Sequence, residues 1–373
     1  MKGVAMNKNI PEKYIDHVLV GDAVEILNKM PENCVDMIFA DPPYNLQLEN
    51  NLYRPNETMV DAVDDEWDKF SSLEEYDKFT YNWLNACRRV LSDVGTIWVI
   101  GTYHNIFRVG KIMADLGYWT LNDIVWIKTN PMPNFRGVRF TNAHETLIWA
   151  KKDKKQKKYT FNYQAMKMYN DEKQMRSDWY IPICSGNERV KLNGEKAHTT
   201  QKPEALLRRV ILSSTNVGDI VLDPFFGSGT TGAVAKKLKR HWVGIEKEQK
   251  YIKVATHRID SISPPLIEDD YFKTPSKKDL PKVTFANLLE VGLVKEGDIL
   301  YSAKKEHSAK VSADGSLQTC KVRGSIHKVG AHMQGRKTCN GWDYWYFEDK
   351  NTIVSIDKLR NKYREKHLEC PAK

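Results

Sequence analysis

Asp41-Pro42-Pro43-Tyr44 follows directly on Val35-Asp36-Met37-Ile38-Phe39-Ala40. The apolar run has the length and β-branched content of a buried strand, and the two prolines stop it. Proline gives no N–H to a ladder and fixes φ, so the carbonyls here point out of the strand's carboxyl end. Beside them stand an acceptor-only carboxylate, Asp41, and the aromatic face of Tyr44. Two acceptors and a stacking ring suit a planar amino-purine held by its exocyclic NH2. A lone Asp-Pro, in contrast, is common turn punctuation. A second stretch weighs against that plain reading.

Val221-Leu222-Asp223-Pro224-Phe225-Phe226-Gly227-Ser228-Gly229-Thr230-Thr231 also reads as strand, glycine turn and helix. Gly227, Gly229 and Gly232 fit GxGxxG, and Glu246 stands at a strand end 23 residues beyond Asp223. That is the layout of a dinucleotide fold, in which the acid binds a ribose. A nicotinamide enzyme is one reading. Against it, Asp223 to Phe226 intervene between the strand and the first glycine. A carboxylate there would repel a pyrophosphate but attract the ammonium of S-adenosylmethionine. Glu246 could bind ribose hydroxyls under either reading. Asp41-Pro42-Pro43-Tyr44 would have a role in a methyltransferase and none in a dehydrogenase.

The elements that must position these residues alternate. Leu19–Asp22 predicts a short strand and turn before a helix over Ala23–Met30. Residues 45–70 form a long polar loop with Trp67 near its end, and a loop this long after a site motif predicts a lid or binding segment. Ser71 or Ser72 caps a helix to about Leu91. Strands over Gly95–Ile100, Leu121–Lys128 and Glu145–Ala150, with a helix over 106–116, follow. Later come a helix over Lys202–Ser214, a strand over 219–223, a helix over 230–239, a strand over Trp242–Ile245 and a helix over 248–262. This alternation predicts an α/β fold with a largely parallel sheet covered on both faces. Residues 151–158 hold six lysines in eight positions and read as a mostly solvated loop. Residues 159–200 stay polar with interleaved aromatics.

The chain has 373 residues, of which 41% are hydrophobic, enough for one large domain and a small one. The domains predicted are 1–262 (with 129–200 as a recognition region), a linker over 263–281 and a basic module over 282–373. Its six cysteines are scattered without metal-site spacing, so reduced thiols, a cytoplasmic setting and no metal are expected. No apolar run approaches a membrane span, and no membrane partner is expected. Of the net charge of +9, residues 271–373 supply nearly all, with 20 Lys and Arg against 12 Asp and Glu. A nearly neutral body with a basic tail suggests a polyanionic partner, although a merely soluble basic surface would look the same.

Together the two motifs resemble the amino-group DNA methyltransferases, with the catalytic motif ahead of the cofactor motif as in the β class. DPPYNLQL, GTIWVIGTYHNIFRVG, NPMPNFRGVRFTNAHETLIWA, TQKPEALLRRVI and LDPFFGSGTTGAVAKKLKRHWVGIE are similar, segment after segment, to the cell-cycle-regulated adenine methyltransferases of α-proteobacterial type. The likeness continues through VRGSIHKVGAHMQG and CNGWDYWYFE. It implies a class I S-adenosylmethionine-dependent fold, Rossmann-like with helices on both faces, plus a small mixed C-terminal domain. It also implies N6-adenine methylation within 5′-GANTC-3′ of double-stranded DNA, S-adenosylmethionine as donor, and a homodimer. On this resemblance Asp41, Pro42 and Tyr44 are catalytic. Asp22, Thr200, Gln201, Lys202, Asp223, Phe225, Gly227, Ser228, Gly229 and Glu246 bind the cofactor.

Among DNA contacts, Asn134, Arg136 and Arg139 offer forked donors to base edges, phosphate contact alone being the alternative for each arginine. In the basic module Ser325 and Asn340 could reach bases, while Lys321, Arg323, Lys328, Arg336 and Lys337 neutralise phosphates. A dimerisation or solubility module is the competing reading. Trp342, Tyr344 and Trp345 alternate as a strand would, which predicts Trp342 as core. A cytosine-N4 enzyme would usually carry Ser at position 41, and a protein or RNA amino-methyltransferase Asn. A non-catalytic DNA-binding protein would show decayed motifs.

Overall fold

A computed structural model describes residues 10–45, 68–134, 137–192, 195–196, 200–263, 281–349 and 352–367. Most of the predicted lid, the predicted linker and Arg136 lie outside the described residues. The chain divides into two compact units between Ser276 and Lys277, inside the stretch read as a linker.

The first unit is built on strands β1 (His17–Val20), β2 (Val35–Ala40), β3 (Leu91–Gly101), β4 (Trp119–Lys128), β5 (His144–Lys151) and β6 (Asp178–Ile181). A short hairpin, β7 (Lys191–Leu192) with β8 (Glu195–Lys196), precedes β9 (Ile220–Asp223) and β10 (His241–Glu246). The large sheet has the order β1-β10-β9-β2-β3-β5-β4-β6. Only β5 runs against the others. Its helices are α1 (Ala23–Lys29), α2 (Leu73–Val90), α3 (Ile106–Asp115), α4 (Tyr163–Met168), α5 (Glu204–Ser214), α6 (Thr230–Lys237) and α7 (Gln249–Asp260).

Side chains alternate across the pleat, so each central strand feeds two cores. Met37, Phe39, Trp98 and Ile100 pack with α5, α6 and α7. Ile38, Ala40, Ile97 and Val99 pack on the other face with α1, α2 and α3. Burial on both faces is why β2 and β9 read as near-continuous apolar runs. At the start of α2, Ser72 accepts the Glu75 N–H at 3.1 Å and sets where the helix begins.

The second unit has a six-stranded antiparallel sheet: β11 (Ile299–Ser302), β12 (Ser308–Val311), β13 (Leu317–Gln318), β14 (Arg323–Gly324), β15 (Trp345–Asp349) and β16 (Thr352–Ser355). Helices α8 (Phe285–Glu290), α9 (Ile326–Met333), α10 (Gly341–Tyr344) and α11 (Ile356–His367) close a separate core around Leu288, Leu300, Val329 and Trp345. Residues 341–344 form a helical turn, not the expected strand alternation. Asn340 accepts the Trp342 N–H at 3.3 Å and starts one helical turn, so Trp342 and Trp345 meet the core at a spacing of three. Trp342 is buried, as expected.

Candidate active site

β2 and β9 are parallel neighbours, pairing Met37 with Val221 and Ile38 with Leu222. The chain then leaves them in opposite directions, β9 to β10 on one side and β2 to β3 on the other. At such a reversal of strand order a crevice opens beyond the carboxyl ends. Two motifs far apart in sequence therefore meet in one cleft. Its walls include Asp41, Pro42, Tyr44, Asp22, Thr200, Gln201, Lys202, Asp223, Phe225, Gly227, Ser228 and Glu246.

At the β2 side, Asp41 Oδ1 accepts the Tyr44 hydroxyl at 2.8 Å, and Oδ2 meets the Lys202 ammonium at 2.7 Å. The same hydroxyl reaches Glu145 Oε2 at 3.2 Å, and Lys128 holds Glu145 Oε1 at 2.9 Å. Lys202 also lies over the Tyr44 ring, 5.2 Å from its centroid. Two acids and two bases are thus interleaved in a buried cluster. Burial raises the Asp41 carboxyl, more than Lys202 can lower it. Burial opposes the Lys202 ammonium, but Asp41 and Glu145 outweigh it and hold lysine above its usual range. Glu145 is held below the usual carboxylate range, since Lys202 and Lys128 overcome its burial.

The turn beyond the motif is fixed from outside. Asp68 Oδ1 accepts the N–H groups of Tyr44 and Asn45 at 2.6 and 2.8 Å. The Pro43 carbonyl accepts the Tyr76 hydroxyl at 2.9 Å.

At the β9 side, Asp223 is buried and accepts the Phe225 N–H at 2.9 Å and the Thr231 hydroxyl at 2.6 Å. Burial pushes its carboxyl up to about 7. Glu246 accepts the N–H groups of Gly227 and Glu248, both at 2.8 Å, and burial raises it too. Asp22 caps α1 through the N–H groups of Val24 and Glu25, at 2.9 and 3.1 Å. The Phe225 ring meets Trp83 edge-on at 5.3 Å. A buried acid, a second acid at the next strand end and an aromatic wall fit an ammonium, a hydroxylated ribose and a purine.

Several expected residues do other work. Gly229 is not on the cleft wall. It has φ +73°, and a Cβ there would stand 2.8 Å from Ala255 Cβ, so glycine is required by the turn and by packing. The Gln201 amide binds backbone, accepting the Val190 N–H and donating to the Glu188 carbonyl, each at 2.9 Å. Asn134 Oδ1 accepts the Val138 N–H at 3.3 Å, and Arg139 donates to the Tyr103 hydroxyl at 2.8 Å. In the second unit Ser325 accepts the Lys328 N–H at 3.2 Å and caps α9, Asn340 caps α10, and Arg323 pairs with Asp314 at 2.9 Å. Lys328 is exposed.

Sequence reasoning missed Glu145, Lys128 and Asp68. Glu145 had a signal: it alternates with Leu147 and Trp149 on the buried side of β5, where a carboxylate requires a partner.

Fold and cleft together define a class I S-adenosylmethionine-dependent methyltransferase. Residues 35–257 match the DNA methylase family, and residues 269–369 match the Restriction Enzyme Adenine Methylase Associated family. The chain is 47% identical over 359 residues to the Type II methyltransferase M.HinfI of Haemophilus influenzae, covering 96% of this chain and 99% of that one. It is 43% identical over 258 residues to the Type II methyltransferase M2.LlaDCHI of Lactococcus lactis subsp. cremoris, covering 69% and 94%. The crystal structure of the cytosine-N4-specific PvuII DNA methyltransferase superposes with a TM-score of 0.52 at 21% identity, covering 68% of this chain and 89% of that one, which speaks to the fold. The chain belongs to the DNA methylase family, whose members methylate adenine N6 or cytosine N4 with S-adenosylmethionine as donor.

Proposed function

We propose that this DNA methyltransferase acts on N6 of an adenine swung out of double-stranded DNA, within 5′-GANTC-3′. The carrying observation is the Asp41 carboxylate, both of whose oxygens accept from donors, the Tyr44 hydroxyl and the Lys202 ammonium. An exocyclic amino group is a donor of the same kind. N6–H takes Oδ1 in place of the Tyr44 hydroxyl, which keeps Glu145, while the Pro42 carbonyl accepts the second N6–H. Two acceptors draw the nitrogen towards sp3 character and localise a lone pair otherwise spread into the ring. The Tyr44 ring stacks on the base, and Lys202 and Lys128 hold the two acids in place. S-adenosylmethionine, held by Asp22, Asp223, Phe225 and Glu246, supplies an electrophilic methyl when bound. Asp41, with its carboxyl raised by burial, is suited to receive the proton that N6 sheds.

Asp at position 41 favours adenine over cytosine, and so does the adenine-methylase-associated match over residues 269–369. The target sequence and the homodimer rest on the segment-by-segment resemblance. The activity stands on the site's chemistry and not on the cell-cycle role which that resemblance also implies. We also propose that the second unit adds phosphate contacts through the exposed Lys321, Lys328, Arg336 and Lys337. We predict that Asp41→Ala abolishes methyl transfer while DNA binding persists, and that Tyr44→Phe, which keeps the ring, retains much of it. Near-normal turnover of a folded Asp41→Ala protein in a methyl-transfer assay would end the assignment.

A further inference from the structure

The segment between β4 and β5 is rooted in the catalytic cluster. The Lys128 N–H donates to the Ala143 carbonyl at 2.8 Å, and the Lys128 ammonium meets Glu145, which holds the Tyr44 hydroxyl. Farther out, Asn134 folds the chain back by accepting from Gly137 N–H at 3.0 Å and Val138 N–H at 3.3 Å. Arg139 ties the returning stretch to the Tyr103 hydroxyl, just beyond β3. Between that tether and the root stands Phe140, 98% exposed, with Val138 at 77% and Met132 at 48% on the same segment. A single exposed apolar residue is ordinary. Three on one short segment, tied by hydrogen bonds to the catalytic cluster and to Tyr103, are not.

The acceptor atoms explain what such a group is for. The Asp41 side chain is only 19% exposed and Tyr44 is buried, so a base still stacked in a duplex cannot reach them. Drawing the base out leaves a gap beside its unpaired partner, and an inserted apolar side chain restores the lost stacking. We infer that Phe140 is this wedge: its ring enters the duplex as the target base leaves, with Val138 against the groove and Arg139 holding the segment. The inference rests on the swung-out adenine proposed above.

The test compares the full-length wild type with Phe140→Ala and Phe140→Trp on duplexes carrying the site that the wild type methylates. One set is fully paired, a second has a mismatch opposite the target adenine, and a third carries 2-aminopurine as the target. Phe140→Ala should bind S-adenosylmethionine like the wild type and lose about tenfold or more in kcat/KM on the paired duplex. It should recover on the mismatched duplex, where no pair has to be broken, and give a weaker 2-aminopurine signal. Phe140→Trp should behave nearly as the wild type. Undiminished activity of Phe140→Ala on paired DNA, or an equal loss on paired and mismatched DNA, would overturn the wedge. Should the wild type itself give no 2-aminopurine signal, the swung-out base fails and the wedge fails with it.

Discussion

At the scale of single residues, the site's chemistry depends on acids kept in a buried place. Asp223 is the most exposed to this tension. Burial pushes its carboxyl up to about 7, against the pull of the Thr231 hydroxyl and the Phe225 N–H, and the charges of Asp41 and Glu246 add to the rise. Above that pH the group is an anion ready for an ammonium, and below it the group is neutral and has no charge to offer. A cationic ligand lowers the group's pKa, so binding at lower pH must first expel a proton. We predict that affinity for S-adenosylmethionine falls as pH drops through about 7, by up to about tenfold per pH unit. Calorimetric titrations at several pH values would show it, and Asp223→Asn should flatten the profile and weaken binding. A wild-type profile that is flat from pH 8 to pH 5.5 would remove Asp223 from the ammonium's partners.

At the scale of elements, the turn between β9 and α6 shows how packing sets a motif. Gly227 and Gly229 have φ of +51° and +73°, the left-handed region that glycine enters without strain. Gly229→Ala should destabilise the protein by about 1–3 kcal/mol in chemical denaturation, since the new Cβ meets α7 at Ala255. Unchanged stability with lost cofactor affinity would return Gly229 to the cleft wall. The elements legible in sequence were those with strong punctuation. β2 and β9 are apolar runs cut by proline or glycine, and α2 has a serine cap. β6 was not legible, being four mixed residues that pair with β4 only at the sheet's edge. α10 was read as strand because a single helical turn is too short to show a period. The cluster around Asp41 was legible in its motif alone. Its partners are supplied by tertiary contacts, Lys202 from 161 residues away and Glu145 from 101 beyond Tyr44, and no local spacing encodes such a meeting.

At the scale of the whole molecule, the chain forms two units with separate cores, and most of its net positive charge lies in the second. Truncation after Ser276 leaves the first unit's core whole. The shortened chain should bind S-adenosylmethionine normally but lose DNA affinity, with a salt dependence shallower by about 0.9 in log–log slope for each lost phosphate contact. Equal DNA affinity and equal salt slope would make the second unit a dimerisation or solubility module. Which atom receives the methyl group is read most directly by transfer of tritiated methyl groups to duplexes that differ at one base, followed by nucleoside analysis. The label should appear as N6-methyladenine, from duplexes containing 5′-GANTC-3′, and disappear when that adenine is replaced. Label recovered as N4-methylcytosine would contradict the adenine assignment.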